Sequence, residues 1–398
     1  MESNWIDAAH SRNITSNRLW EEMVQTRKGF PKREVDVTYV NQLGTASLDT
    51  GATGHVDGYP CVVTLNGQFY GIGTLNIGKK RDNYNMNKDN KKQVQFELLG
   101  GGTNFVAETP PYANLGLRNP KLKNYNEGNV VTDPVVAASI QGLWDFHRLP
   151  LPERTAQFDA NYDRVNMVDW YLLISFTAAA DLLDKNSILT SWDGKKYYWM
   201  PYDLDTTFGL HWNGSGVEYL PNWDWDEGSN IIPIVKPIII NDVIKRYAEL
   251  RKNEVFSLST VYRINRDIET KFSLDLFKRE QLRWDVPSKD VGGINQIMGW
   301  LKDRIKFLDA KFNYLDAGVL AQKMWNPPIL VSGGTQTTTL PVAGIAMGTK
   351  VLADFGLPLQ GTKMTAAVTS VGVVTVTHTN PTSGTVNLNY TAVRVLPG

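Results

Sequence analysis

Asp181, Asn186, Asp203 and Asp205 are the residues of this 398-residue chain whose types and spacing best suit chemistry. They lie in two short stretches, Asp181-Leu-Leu-Asp-Lys-Asn186 and Tyr197-Tyr-Trp-Met-Pro-Tyr-Asp-Leu-Asp-Thr-Thr-Phe-Gly209. Carboxylate and carboxamide oxygens are hard donors, the kind that Mg²⁺ or Mn²⁺ takes. An Asp placed five residues ahead of an Asn, with a further Asp beyond, can meet a substrate hydroxyl while the other two groups hold a metal ion against a phosphate. In that chemistry Asp181 is the catalytic-loop carboxylate that meets the hydroxyl, Asn186 stands on the metal side, and either Asp203 or Asp205 is the metal-binding carboxylate. If the strand before them continues, Asp203 and Asp205 point the same way. The competing use of such residues is to cap helices and satisfy backbone donors in loops. The five histidines (His10, His55, His147, His211 and His378) show no metal-ligand spacing, and the lone Cys61 excludes an intramolecular disulfide framework or a multi-cysteine zinc site.

These residues need elements to hold them. Asp163 to Leu183 is nearly continuous apolar sequence and predicts a buried helix ending near Asp181. Asp193-Gly194 then turns the chain into an aromatic strand over Lys196–Met200. Upstream, Asn66-Gly67 separates the runs Val62–Leu65 and Gln68–Ile72, a strong hairpin signal. Val261, Ile264, Ile268 and Phe272 share a helical face. Ile294, Met298, Leu301, Ile305, Leu308, Phe312 and Leu315 repeat at alternating spacings of four and three, a heptad seam that serves either its own domain or self-association.

The composition changes near Asn326. From there to Gly398 only Lys350, Asp354, Lys363 and Arg394 are charged, and Thr and Val dominate. Val371–Thr379 and Thr385–Val395 read as strands around the turn Asn380–Gly384, within a small all-β, sandwich-like module of five to eight strands. Trp325–Pro328 and Ser332–Gly334 read as a linker, since two prolines stop a preceding helix. The expectation is an α+β domain over 1–325 and a β-rich module over 326–398. With 42% hydrophobic and 21% charged residues, the chain can bury cores of that size. Forty-one basic residues balance 41 acidic ones, which removes the long-range pull of a polyanion-binding protein and argues against nucleic acid as a partner. No stretch reaches eighteen apolar residues, so no membrane span is expected, and Met1–Arg12 lacks a secretory-signal pattern.

Asn66-Gly-Gln-Phe-Tyr-Gly-Ile-Gly73, the Asp181–Asn186 loop and Tyr197–Gly209 together resemble the spore-coat CotH family of atypical kinase-like proteins, over roughly Asn4 to Asp316. The resemblance implies a kinase-like fold, Mg²⁺ and ATP as cofactors, and the roles given above for Asp181, Asn186 and Asp203 or Asp205. Asp181 and Asn186 also have the spacing of the catalytic-loop Asp and Asn of protein kinases. The sequence departs from that pattern at Ala179-Ala180, where a kinase has His-Arg, and no Gly-rich phosphate loop precedes the hairpin; Gly100–Gly102 follows it. Lys79 and Lys80 after the hairpin are the candidate phosphate-binding lysines. The family's domain normally begins further upstream than Asn4, which implies sequence missing before it.

The C-terminal stretches Gly344-Ile-Ala-Met-Gly348, Val371–Thr377, Asn380–Gly384 and Tyr390–Val395 resemble a small β domain of tailed-phage virion proteins. That implies a tail or tail-fibre protein in the virion, with other tail proteins and a host-surface receptor or glycan as partners, and a homotrimer. In such a protein the kinase-like fold is a scaffold, and an active kinase is the alternative. Trp212, Tyr219, Trp223 and Trp225, in a Gly/Asn/Asp-rich loop, offer aromatic faces for sugar rings or pin that loop to the core.

Overall fold

The computed structural model describes residues 6–27, 52, 54–100, 105–217, 219–224, 226, 230–286 and 293–398. The chain divides into two compact units, Met1–Tyr219 with Asp224–Met298, and Leu220–Trp223 with Gly299–Gly398. This division falls elsewhere than the composition break at Asn326.

In the first unit α1 (Arg12–Gln25) precedes a two-stranded antiparallel hairpin of β1 (Asp57–Leu65) and β2 (Gln68–Ile77). Asn66 and Gly67 close it with φ of 52° and 75°, the left-handed pair that matches strand twist. A four-stranded antiparallel sheet follows, in the order β4-β3-β5-β6. Its strands are β3 (Val94–Leu99), β4 (Leu115–Asn119), β5 (Lys185–Ser191) and β6 (Tyr198–Pro201).

Three helices separate β4 from β5. In α2 (Pro134–Arg148), Asp133 caps the amides of Val135 and Val136, and Val136, Ile140, Leu143, Trp144 and His147 are buried at helical spacing. After α3 (Leu151–Asn161), α4 (Arg164–Thr177) starts on Asp163, whose side chain accepts from the Asn166 amide. Every residue of α4 from Asn166 to Thr177 is buried, as its largely apolar sequence predicts, and the polar Asn166, Asp169, Ser175 and Thr177 are buried with the rest. The helix ends at Thr177, not near Asp181, because Ala178 turns left-handed with φ of 54°.

One buried charge anchors α4. The Asp169 carboxylate, fully buried, accepts from Nε of Arg27 at 2.7 Å and from Nε of Arg246 at 2.9 Å. Arg246 lies in α5 (Ile232–Lys252) and also donates to the carbonyls of Met23 and Thr26 at the end of α1. A single carboxylate thus ties three helices together. The unit closes with α6 (Leu258–Glu269) and α7 (Leu274–Arg283), and α6 buries Val261, Ile264 and Ile268 on one face as their spacing predicts.

The last helix, α8 (Ile294–Lys311), buries Leu301, Ile305 and Leu308 of the heptad seam, and also Trp300, Arg304 and Phe307. That stripe is wider than a two-position seam, and Phe312 and Leu315 lie beyond the helix end.

In the second unit β7 (Ala321–Trp325), β12 (Thr391–Pro397) and β9 (Val351–Phe355) form one sheet, and β10 (Lys363–Ser370), β11 (Val373–Thr379) and β8 (Thr335–Pro341) another. Residues Leu340, Val374 and Val376 of one sheet and Phe355, Val393 and Val395 of the other share a core. β7 pairs with β12 before the composition break, so charge content marks the sheet's start a few residues late. Residues 385–390, expected within a strand, are not: only Val386 bridges, to Leu330, and pairing resumes at Thr391. Asn380 holds the intervening turn by donating to the carbonyls of Leu330 and Gly384 and accepting from the Thr382 amide.

His147 is buried among Phe105, Trp144 and Tyr162, with the Tyr162 hydroxyl 2.9 Å from Nε2. Burial lowers its pKa from 6.5 to about 3. The unfolded chain therefore takes up a proton below pH 6.5 that the fold refuses. Stability should fall as pH drops through the window from 6.5 to about 3, at up to ~1.4 kcal/mol per pH unit. Urea midpoints measured across that window should show the slope, and His147→Phe should flatten it.

Candidate functional site

A bulge in β5 makes the centre of the site. Glu97 of β3 opposes Ile188, whereas Leu99 opposes Lys185, so β5 carries one extra residue between these pairs. Asn186 lies there with φ of 59°. A bulge re-aims a side chain out of the pleat, and Nδ2 of Asn186 donates to the Asp203 carbonyl at 3.3 Å and to Oδ2 of Asp181 at 3.5 Å. The Asn186 carbonyl accepts from the Tyr202 amide at 3.0 Å. With Nδ2 so used, Oδ1 is the atom of Asn186 suited to a cation. Three of the sequence-selected positions, Asp181, Asn186 and Asp203, are therefore neighbours.

Asp181 lies in a 3₁₀ turn, Ala180–Leu183, straight after α4. Its carboxylate stays partly exposed and pairs with the Lys185 ammonium at 3.3 Å. No His-Arg pair holds this loop. Two hydrogen bonds do so instead: the Phe208 amide to the Thr177 carbonyl at 2.6 Å, and the Ser187 hydroxyl to the Leu182 carbonyl at 2.7 Å.

Asp203 and Asp205 do not share a strand face. β6 stops at Pro201, and Asp203 turns left-handed with φ of 52°, which cancels the alternation expected of them. Asp203 stays beside Asn186. The charge of Asp205 instead acts on Arg12, as do those of Asp7 and Glu269. Burial lowers the Arg12 pKa to about 10 against those three carboxylates, so the guanidinium remains charged at neutral pH.

Arg12 belongs to a feature that the sequence does not advertise. α1 buries Arg12, Asn13, Ser16 and Asn17 almost completely. Arg12 donates to the Thr207 carbonyl, Asn13 Oδ1 accepts from the Leu204 amide at 3.1 Å, and the Ser16 hydroxyl meets that of Thr207 at 2.9 Å. A polar helical face normally reads as solvated; here it grips the Asp203–Phe208 loop.

Of the two candidate lysines, Lys79 is drawn in. Its Nζ donates to Oε1 of Glu97 at 2.6 Å and lies 4.2 Å from the centre of the Tyr202 ring. Glu97 is buried, and its other oxygen accepts from Nε of Arg118 at 2.7 Å. Burial works against the Arg118 charge, but Glu97 and then Glu127 raise its pKa overall. Burial, and after it Tyr202 and Glu97, push the Tyr84 phenol well up, so it stays neutral. Lys80 is exposed and caps no helix with its side chain.

Trp212 is 63% exposed beside the His211 ring. Tyr219 donates its amide to the Gly209 carbonyl. Trp223, in the second unit, is exposed, and its carbonyl accepts from Arg304. Trp225, Asn4, Trp5, Gly101 and Gly102 lie outside the described residues. Among the described residues no group of three or more His, Cys, Asp or Glu could hold a metal ion, and no helix is long and apolar enough to cross a membrane.

The model of the CotH kinase protein family matches residues 2–308 of the 398. The chain belongs to the CotH family. The match takes in α1, the hairpin, the bulge and the Asp203–Phe208 loop, which are the elements that assemble the site. No curated protein matches the chain.

Asn186 tests how far this CotH site depends on backbone shape. Glycine can hold φ near 59° without strain and alanine cannot. Asn186→Ala should be less stable than Asn186→Gly by ~1–2 kcal/mol, read from urea midpoints. Equal midpoints would mean that the bulge relaxes.

Proposed function

We propose that this CotH-family protein is an atypical kinase-like phosphotransferase that uses Mg²⁺ and ATP. The observation that carries the proposal is the convergence of Asp181, Asn186 and Asp203 on one bulge, with the Lys79–Glu97 pair joined to it through Tyr202. Asp181 is placed to take the proton of an acceptor hydroxyl, since its carboxylate is reachable and its loop is fixed at both ends. Oδ1 of Asn186 and the carboxylate of Asp203 would hold the metal. Two protein oxygens suit Mg²⁺, which keeps its remaining positions for water and phosphate oxygens. Bound there, the ion supplies charge neutralisation to those phosphates. Lys79, kept in place by Glu97, offers a cation to phosphate, while Tyr202 excludes water from one side of the ammonium. Asp205 serves the fold through Arg12.

Millimolar MgATP should raise the melting temperature, because a ligand of the native state alone stabilises it. Asp181→Asn and Asp203→Asn should each lower label transfer by on the order of 10³-fold, with the melting temperature nearly kept. Asp205→Asn should mainly lower the melting temperature. A flat MgATP response without label transfer to any protein would end this reading.

A second reading rests on the β-rich C-terminal module. Its likeness to modules of tailed-phage virion proteins supports a tail or tail-fibre protein in the virion, in which the kinase-like domain is a scaffold. In this reading the exposed Trp212 and Trp223 contribute to contact with a host receptor or glycan, other tail proteins are partners, and the sandwich-like module holds a homotrimer. Light scattering of the full chain should then give three times the monomer mass, and purified particles should contain the chain. A monomer absent from particles would exclude it.

A further inference from the structure

A cleft of about 840 Å³ opens beyond the end of β5 opposite to Asn186. At about 3.3 Å per residue along a strand, Trp192 lies roughly 20 Å from Asn186, so the cleft is separate from the site above. One wall is a face of α2, formed by Val135, Ala138, Ser139, Gly142 and Leu143. The other is the turn Trp192–Lys195, with Asn90, Lys92 and Asn161 at the ends.

The walls are fixed before anything binds. The Ser139 hydroxyl donates to the Gly194 carbonyl at 2.6 Å and lies 2.7 Å from the Tyr197 hydroxyl, which pins the helix to the turn. Oδ1 of Asp193 accepts from the amides of Lys195 and Lys196 and from the Ser191 hydroxyl, so this carboxylate is spent inside the turn. Gly194 has φ of 74°, and a Cβ there would meet the Lys92 carbonyl at 3.0 Å. Nε1 of Trp192 donates to the Tyr84 carbonyl at 3.0 Å and the indole stands edge-on to Tyr198, which holds it against the cleft. The α2 wall is open at Gly142, where a Cβ would meet nothing within 4 Å.

The lining has a definite chemistry. A held indole suits the C–H face of a sugar ring, and two carboxamides suit hydroxyls. Lys92 and Lys195 are cations on the rim, and Asp193, the one carboxylate among the lining residues, is already engaged. A volume of this size takes a ligand of a few rings. We propose that the cleft is a binding site for an acidic saccharide, a sugar carrying a carboxylate or an equivalent anionic group. The proposal does not depend on phosphoryl transfer.

Trigalacturonate titrated calorimetrically into the full chain tests it, beside its methyl ester, inorganic phosphate and oligoglutamate. The acid should bind, and removing its charge as the ester should weaken binding by about tenfold. Phosphate and oligoglutamate should not bind measurably at equal concentration. Gly142→Leu, which fills the cleft from its α2 wall with a good helix former, should abolish binding without lowering the melting temperature. Lys92→Glu with Lys195→Glu should abolish binding of the acid. The thermal response to MgATP should be the same in all variants, which separates failure here from failure of the kinase reading. No binding of the acid at millimolar concentration, equal binding of its ester, or insensitivity to Gly142→Leu would overturn the proposal. Tighter binding of oligoglutamate would overturn it in favour of an acidic peptide.

Discussion

The geometry of the site depends on a guanidinium that has no water. Arg12 is wholly buried, and its charge is supported by Asp7, Glu269 and Asp205, with Nε 3.6 Å from Oδ1 of Asp7. Leaving a buried charge uncompensated costs ~3–5 kcal/mol, and the three carboxylates spare Arg12 that cost. Arg12 therefore fixes the positions of several segments at once: the turn before α1, the end of α6, Gln296 of α8 and the Thr207 carbonyl. Burying an arginine is a poor way to gain stability, since an apolar replacement of equal volume is often no worse. It is a good way to specify one arrangement of a loop that has no regular structure of its own.

That loop needs specifying because its backbone is strained. Ala178, Asn186, Asp203 and Phe208 all have φ between 52° and 59°, a region that residues with a Cβ enter at a cost of about 1–2 kcal/mol each. Hydrogen bonds clamp the segments that carry them: the Phe208 amide to the Thr177 carbonyl, Asn186 to Tyr202 and to Asp203, and the Leu204 amide to Asn13. The energy that sustains the strain comes from elsewhere, from the aromatic core in which Trp170 stacks on Trp199 at 4.3 Å and from the buried face of α4. Rigid apolar packing below and polar clamping above divide the work between them.

This division explains what was legible in the sequence. The apolar run of α4, the Asn66-Gly67 hairpin, the α6 stripe and the turn at Asp193-Gly194 follow from local pattern, and they are found. The neighbourhood of Asp181, Asn186 and Asp203 was reachable from spacing and motif. Three features were not. The loss of strand alternation between Asp203 and Asp205 depends on a left-handed residue after β6, which no residue type there demands. The polar face of α1 looks solvated, and only tertiary structure shows Arg12, Asn13 and Ser16 to be inside. The pairing of Glu97 with Lys79 joins a strand to the residue after a hairpin, and nothing in strand alternation distinguishes Glu97 from an ordinary outward acid. In the C-terminal module, Thr/Val alternation identifies β structure but overextends a strand through 385–390, where only Val386 is paired, by a single bridge to Leu330.

The bulge at Asn186 connects these separate observations. In a regular β3–β5 ladder side chains alternate strictly, and a slip of one residue would exchange the two faces. Glu97 faces Arg118 and Lys79, and Ile188 opposite it is fully buried. If β5 continued in register from Ile188 to Lys185, Asn186 would take its place by alternation alone. The extra residue lets β5 keep Ile188 in the core and still aim the Asn186 amide at Asp181 and Asp203. It also lets Tyr202 bond to the Asn186 carbonyl, which brings the Tyr202 ring under Lys79. One inserted residue with a left-handed φ thus couples the acidic half of the site to its basic half. The β3–β4 pairing carries its own irregularity, between Gln95 and Phe96, but it is the β5 bulge that carries Asn186 and so sets the site.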